Sequence, residues 1–497
     1  MRTHLFTALA AAGACAFVPA CNLSTPPVGG EILSEAARSA IPADWQVDAH
    51  SGSVVPGWIR SFNDPTLERL VAEAVQRNPD LTAAAARVEA SRAAVVVASS
   101  SLYPAVGLKA LGERQGRDLS GDLNLGIDPP DLGGMGIESS GGSFGSSSDR
   151  RSSRRDVAGM GIGTAWEADV WGRLRSKRAA AVADSMAAEA DLESARQSLA
   201  ATVARAYFAV IEAGQQAANA EETLALYGEY LNLVELRKEQ GFASDFDLAQ
   251  LKTRISATRD AVHTANLARA QAIRAIEVVS SRYPAGNLAT RESLPNQPRP
   301  VPSGLPAELL ERRPDLIAAE RRFAAAFHRT KEARAARLPR FALSGVGGVA
   351  TADLDGVGTL DAVTWSLASG ITQPIFLGGA LKAAAEIRSA EQRAAAMDYT
   401  ATALRAFAEV EDALSREHFL ALRETAIQSM VEHSAEAVEL GLSQYEQGQS
   451  DMFNMLILAG DNLAARSELT RIRAARLRER ANLHLSLGGG FDDRRQP

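Results

Sequence analysis

Cysteine is almost absent from this chain of 497 residues: Cys15 and Cys21 are the two, and none follows Cys21. A disulfide framework and a cysteine-ligated metal site are therefore excluded for nearly the whole length. Aromatic residues are scarce, at 5%. A basic excess is missing as well. Lys and Arg number 53 against 60 Asp and Glu, a net charge of −7, which excludes the electrostatic footprint of a nucleic-acid binder. After the N-terminal segment no apolar run reaches the ~18 residues of a transmembrane helix. The seven histidines (His4, His50, His263, His328, His418, His433 and His484) show no metal-ligand spacing. No P-loop occurs, since "SGVGGVA" lacks the following lysine and helix. The expectation is a chain without an enzyme site, a metal or a bound cofactor.

What is present begins with an export signal. Arg2 supplies a positive n-region, and Leu5 to Phe17 form an apolar segment too short to span a bilayer. Val18-Pro19-Ala20-Cys21 then resembles a bacterial lipobox. That resemblance implies cleavage before Cys21 and a covalent N-terminal lipid on its thiol. Two or three acyl chains anchor stably where one does not, and Asn22 is compatible with the outer membrane. The alternative is an ordinary signal peptide whose cysteine is lost.

The remainder is duplicated. "RNPDLTAAAARVEASRAAVVVASSSLYPAVGL" at 77–108 parallels "RRPDLIAAERRFAAAFHRTKEARAARLPRFAL" at 312–343. Asp80 and Pro104 are 24 positions apart, as are Asp315 and Pro339. "DVWGRLRSKRAAA" at 169–181 matches "PIFLGGALKAAAE" at 374–386, and "EQGFASDF" at 239–246 matches "EQGQSDMF" at 446–453. Asp80 and Trp171 are 91 positions apart, whereas Asp315 and Phe376 are 61 apart. The first half thus carries an insertion, placed where Gly, Ser and Asp dominate.

Each half has one plan. A helix opens on Asn78-Pro79-Asp80 or Arg313-Pro314-Asp315, proline suiting the first turn and aspartate the positive end of the helix dipole. It runs roughly to Leu102 or Leu338 and stops at Pro104 or Pro339. Two extended segments follow. Val363, Trp365, Leu367 and Ile371 alternate with Thr364, Ser366, Ala368 and Thr372, and Met160, Ile162, Trp166 and Val170 alternate with Gly161, Gly163, Glu167 and Asp169. This is the period of a strand with one apolar and one polar face, as in a sandwich or a membrane barrel. Proline is then missing from 173 to 240 and from 380 to 447, and glycine is rare. A helix of that length reaches about 100 Å and needs bundled partners. Gly241 and Gly448 break it, and Asp245 and Asp451 are expected to cap returning helices ending near Arg282 and Leu487. Four strands cannot close a barrel, so membrane-crossing strands require several chains.

Six motifs span nearly the whole length: "FNDPTLERLVAEAVQRNPDL", "WEADVWGRLR", "LPAELLERRPDLIAAERR", "ITQPIFLGG", "FAEVEDAL" and "LSLGGGF". Through them the chain resembles the TolC-like outer-membrane efflux proteins, in the OprM and NodT type lipoprotein branch. The resemblance implies a mainly α fold with a transmembrane β-barrel portion. It implies a homotrimer with four strands per protomer in a shared 12-stranded barrel, long helices in a periplasmic α-barrel, and a mixed equatorial region. The expected organisation is a signal peptide at 1–20, a lipidated segment at 21–65, a first repeat at 66–290 with an extracellular loop at about 113–157, a linker at 291–305, a second repeat at 306–490 and a tail at 491–497. In the loop, Arg150, Arg151, Arg154 and Arg155 either touch lipopolysaccharide phosphates or are simply solvated.

The implied function is a passive exit duct in the outer membrane. It takes substrate from an inner-membrane pump, of resistance-nodulation-division type, through a periplasmic adaptor. A type I secretion role and a periplasmic coiled-hairpin lipoprotein are the alternatives. Gly241, Phe242, Ala243, Ser244 and Asp245, with Gly448, Gln449, Ser450 and Asp451, are the implied adaptor-docking tips. The family's acidic gate position falls here on Ile457, so the periplasmic gate is either apolar, from Phe453, Met455 and Ile457, or formed by Asp461 in shifted register.

Overall fold

The computed structural model describes residues 25–117, 153–351 and 362–491, except 40, 43, 48–51, 53 and 55. The signal segment and Cys21 lie outside the described residues. The chain divides into two compact units. One holds the strands, in Ser99–Arg175 and Ala335–Gly379; the other holds most of the helices, in Leu23–Ala98, Ser176–Arg334 and Ala380–Pro497.

In the first unit β1 (Ala105–Arg117), β2 (Ser153–Ala168), β3 (Arg340–Thr351) and β4 (Ala362–Thr372) form one antiparallel sheet in that order. The register carries the alternation across all four strands. Leu108 lies opposite Ile162, Ile162 opposite Gly347, and Gly347 opposite Trp365. Opposed residues share a face, so Val106, Leu108, Met160, Ile162, Trp365 and Leu367 fall on one side. Gly107, Lys109, Gly161, Gly163, Gly348 and Thr364 fall on the other. The apolar side is open: Val363 and Trp365 are 82% and 81% exposed. Glycine is required where strands approach closely. A Cβ on Gly348 would stand 2.5 Å from the Met160 carbonyl oxygen, whereas at Gly347 it would meet nothing within 4 Å.

The long loop is shorter than its composition suggests. Glu113 pairs with Val157, and the ladder continues to Arg117 opposite Ser153. Backbone pairing does not need apolar side chains, so "ERQGR" and "SRRDV" are strand where polarity reads as loop. Arg154 and Arg155 therefore belong to β2, not to the loop; Arg150 and Arg151 lie outside the described residues. Val170 falls beyond the end of β2. In the second repeat β3 ends at Thr351 and β4 starts at Ala362.

The longer helices of the second unit are α1 (Pro65–Arg77), α2 (Pro79–Ser100), α3 (Arg173–Glu239), α4 (Asp245–Val279), α5 (Pro314–Ala335), α6 (Ala380–Glu446) and α7 (Met452–Ser486). The duplication shows in their lengths: α2 and α5 have 22 residues each, α3 and α6 have 67, α4 and α7 have 35. The helices α2 and α5 stop two or three residues before the expected ends, because the chain turns before Pro104 and Pro339. Helix α1 was not anticipated. Asp64 caps it, accepting from the amides of Thr66 at 2.9 Å and Leu67 at 3.2 Å, with Pro65 in the first turn.

Among the apolar cores of this unit, two are the most extensive. Phe62, Leu67, Leu70, Tyr207 and Phe208 centre the first, and Leu309, Leu316, Tyr399 and Val410 the second. The linker is tied down rather than free. Arg480 donates to the Arg299 carbonyl at 2.6 Å, and the Trp45 indole to the Gly304 carbonyl at 3.0 Å. The terminal motif turns at Gly488, φ +71°, where a Cβ would stand 3.1 Å from the Arg312 carbonyl carbon. No helix among the described residues is long and apolar enough to cross a membrane.

Candidate functional site

Both long helices end in the same way. At the first tip the Phe242 amide donates to the Arg237 carbonyl at 2.8 Å, and the Gly241 amide to that of Lys238 at 3.0 Å. At the second, Gln449 donates to Gln444 at 2.8 Å and Gly448 to Tyr445 at 3.0 Å. These are Schellman caps, which need a left-handed residue. Gly241 and Gly448 supply it with φ of +82° and +74°.

The returning helices start with different caps. Asp451 accepts from the Asn454 amide at 2.9 Å, as expected. In the first half the cap is Ser244, not Asp245. Its Oγ accepts from the Asp247 amide at 3.2 Å while the Asp247 carboxylate accepts from the Ser244 amide at 2.9 Å, a reciprocal box. Asp245 is the first helical residue and pairs with Lys238 Nζ at 2.5 Å. That hydrogen bond and charge hold its carboxyl below the ordinary range. The repeat itself carried the signal, because "EQGFASDF" laid on "EQGQSDMF" sets Ser244 over Asp451.

Phe242 is 79% exposed at the first tip, and Phe246, which the motif reading passed over, is 67% exposed beside it. Phe246 corresponds to Phe453 in the repeat. Ala243 is half-buried, and Gln449 is exposed. Behind the tips Tyr227, Tyr230, Val234, Leu251, Tyr445 and Met455 form a buried apolar cluster. The Arg237 guanidinium lies 4.3 Å from the Tyr445 ring centre and donates to the Glu446 carbonyl at 2.8 Å.

Of the residues expected at the gate, Phe453, Ile457 and Asp461 are exposed and follow each other at four-residue steps along one side of α7. Met455 does not belong with them, because its side chain is fully buried in the cluster. The apolar and acidic readings of the gate thus lie on one stripe, with the acid one turn beyond Ile457.

Farther along, α7 is fixed on two sides by charge. Arg466 pairs with Glu222 and Arg478 with Glu212 at 2.6 Å, both on α3. Arg473 and Arg476 pair with Glu424 on α6 at 3.0 and 2.5 Å, and Arg480 pairs with Glu417. Burial alone would raise the Glu424 carboxyl. Hydrogen bonds from Arg476 and Arg473 outweigh it and hold the group below its ordinary range.

An antiparallel sheet with one exposed apolar face, in a chain whose other unit is built on paired long helices, defines a membrane channel component. The chain belongs to the outer membrane efflux protein family, whose model matches residues 70–280 and 305–489. It is 30% identical to the pyoverdine export outer membrane protein OpmQ of Pseudomonas putida over 493 residues, 95% of each chain. It is 28% identical to the toluene efflux pump outer membrane protein TtgF of Pseudomonas putida over 499 residues, 99% of this chain and 98% of the relative. Among solved structures the outer-membrane channel OprN superposes with a TM-score of 0.80 at 27% identity, covering 95% of this chain and 98% of that one. The CmeC outer membrane channel of Campylobacter jejuni shares the fold, with a TM-score of 0.79 at 21% identity over 96% and 95% of the two chains. The protein is an outer-membrane channel of an efflux system, mainly helical and with a large periplasmic portion.

Proposed function

We propose that three copies form one duct, in which twelve strands close a barrel and the long helices line a periplasmic tunnel. The observation that carries this reading is the four-stranded sheet with its apolar face exposed. Among the described residues β1 and β4 have no strand partner on their outer sides. Open edges are intolerable in lipid, and joining the β4 edge of one copy to the β1 edge of the next removes them all. Transport is passive, with energy supplied by an inner-membrane pump of resistance-nodulation-division type. Cargo is a small organic molecule chosen by the pump, in keeping with relatives named for pyoverdine export and toluene efflux. Cys21 carries the lipid anchor. The two tips dock a periplasmic adaptor, Phe242 and Phe246 presenting exposed aromatic surface where the caps alone would need none.

The test uses the lack of thiols beyond Cys21. Ser450→Cys is labelled in cells with a thiol-to-amine cross-linker, and the adduct is identified by mass spectrometry. A periplasmic adaptor in the adduct is the expected result. Efficient labelling without an adaptor would remove the tips from the docking role.

A further inference from the structure

The internal repeat makes the junction between copies readable from within one chain. In the strand unit β2 of the first repeat pairs with β3 of the second, so this pairing is itself a repeat-to-repeat junction. If copies join β4 to β1, that junction is again one repeat against the next. The internal pairing is then a template for the external one. This step rests on the trimeric duct proposed above.

The transfer uses the matched landmarks. Pro339 corresponds to Pro104, so Leu343 of β3 corresponds to Leu108 of β1. Trp171 corresponds to Phe376, so Trp166 of β2 corresponds to Ile371 of β4. Trp166 lies opposite Leu343. Its image sets Ile371 opposite Leu108 of the next copy. The outcome was free to fail, because a shift of one residue reverses every side chain. It instead places Ile371 and Leu108, both on the exposed apolar side, on the same side of the joined sheet. Two steps along, the image of Ile162 opposite Gly347 is Leu367 opposite Gly112, which also keeps the faces in phase.

A second contact transfers with it. The Trp171 indole donates to the Pro339 carbonyl at 2.8 Å, binding the chain after β2 to the chain before β3. Its image joins Phe376 to Pro104. Phe376 is 85% exposed and its neighbour Ile375 is 96% exposed, just past an unpaired edge strand. Tyr103, next to Pro104, is also exposed. We propose that Phe376 of one protomer seats on the Tyr103–Pro104 corner of the next, with Ile371 opposite Leu108 in the shared ladder. The two ends of the edge strands that carry these groups meet because the pairing is antiparallel: β4 ends where β1 begins.

Three measurements test the contact and separate it from the trimer. Light scattering of the wild type in detergent gives the copy number; a monomer overturns the duct and the contact together. For a trimer, the double variant Leu108→Cys with Ile371→Cys is oxidised and run without reductant, each single variant serving as control. Covalent trimer in the double variant alone supports the register. A trimer in which Leu108→Cys cross-links instead to Leu367→Cys overturns it, as does a trimer with no cross-link in either pair. Phe376→Trp recreates across the junction the indole donor present at Trp171. A rise in the temperature at which the trimer band dissociates supports the seat on Pro104, and an unchanged or lower temperature overturns it.

Discussion

Asp64 and His484 show how much a single buried group carries. One Asp64 oxygen caps α1 and the other accepts from the Tyr207 hydroxyl at 2.9 Å, with the Arg291 guanidinium 3.6 Å away. Burial and the carboxylate push the Tyr207 hydroxyl well above its ordinary range, so it stays a donor at every working pH. Asp64→Ala removes the cap and strands that hydroxyl, and should cost about 2–4 kcal/mol. Tyr207→Phe should cost about 1 kcal/mol. Thermal melts of both single variants and the double should therefore show clear non-additivity, and additive losses would refute the coupling. His484 stacks on Trp58 with ring centres 5.4 Å apart, and its Nδ1 has no hydrogen-bond partner. Burial first and the Arg480 charge second depress its pKa from 6.5 to about 3. The folded state then holds the ring neutral while the unfolded chain protonates it. Stability from this group is full above about pH 6.5 and falls toward pH 3, by about 1.4 kcal/mol per pH unit. His484→Phe keeps the stack and removes the proton, so the acid slope of the melting temperature should flatten. An unchanged slope would place the acid sensitivity elsewhere.

At the scale of elements, regular periodicity was legible and backbone pairing was not. The long helices, their glycine breaks and the two-faced strands were readable because each rests on a local rule: no proline, one left-handed residue, alternation by two. The strand ends at Glu113–Arg117 and Ser153–Val157 were hidden, because a ladder hydrogen bond is indifferent to whether the side chain is polar. Ser244 was hidden within its own half because a neighbouring aspartate competes for the same cap, and only laying the two halves together sets it over Asp451. Close strand approach was hidden too, since Gly347 and Gly348 look alike until the Met160 carbonyl is found against the second alone. The pair gives a sharp contrast. Gly348→Ala must displace backbone, should cost on the order of 1–3 kcal/mol, and should deplete the folded outer-membrane form. Gly347→Ala should stay within about 0.5 kcal/mol. Heat-modifiable migration of both variants checks this; equal behaviour would mean that the strands do not approach at Gly348.

At the scale of the whole molecule the question is what narrows the duct. The long helices are held in two ways. Arginine–glutamate pairs fix α7 from Arg466 to Arg480 against α3 and α6, and the tyrosine-lined cluster holds it nearer the tip. Phe453, Ile457 and Asp461 project from the near part as one exposed stripe, and threefold assembly would turn that stripe into rings. Two apolar rings followed by an acidic one act differently on an ion: the apolar rings set the barrier by excluding water, and the acid sets the sign of what passes. The effects are therefore separable in planar-bilayer recordings of the purified protein. Phe453→Ala with Ile457→Ala should raise single-channel conductance several-fold and leave the preference for cations in place. Asp461→Asn should leave conductance within a factor of about two and lower cation preference, because one charge per copy is lost from the ring while the bore is unchanged. A conductance unmoved by the double alanine variant would exclude the apolar constriction. A cation preference unmoved by Asp461→Asn would turn that side chain away from the lumen, since an unscreened carboxylate ring in a narrow pore cannot be electrically silent.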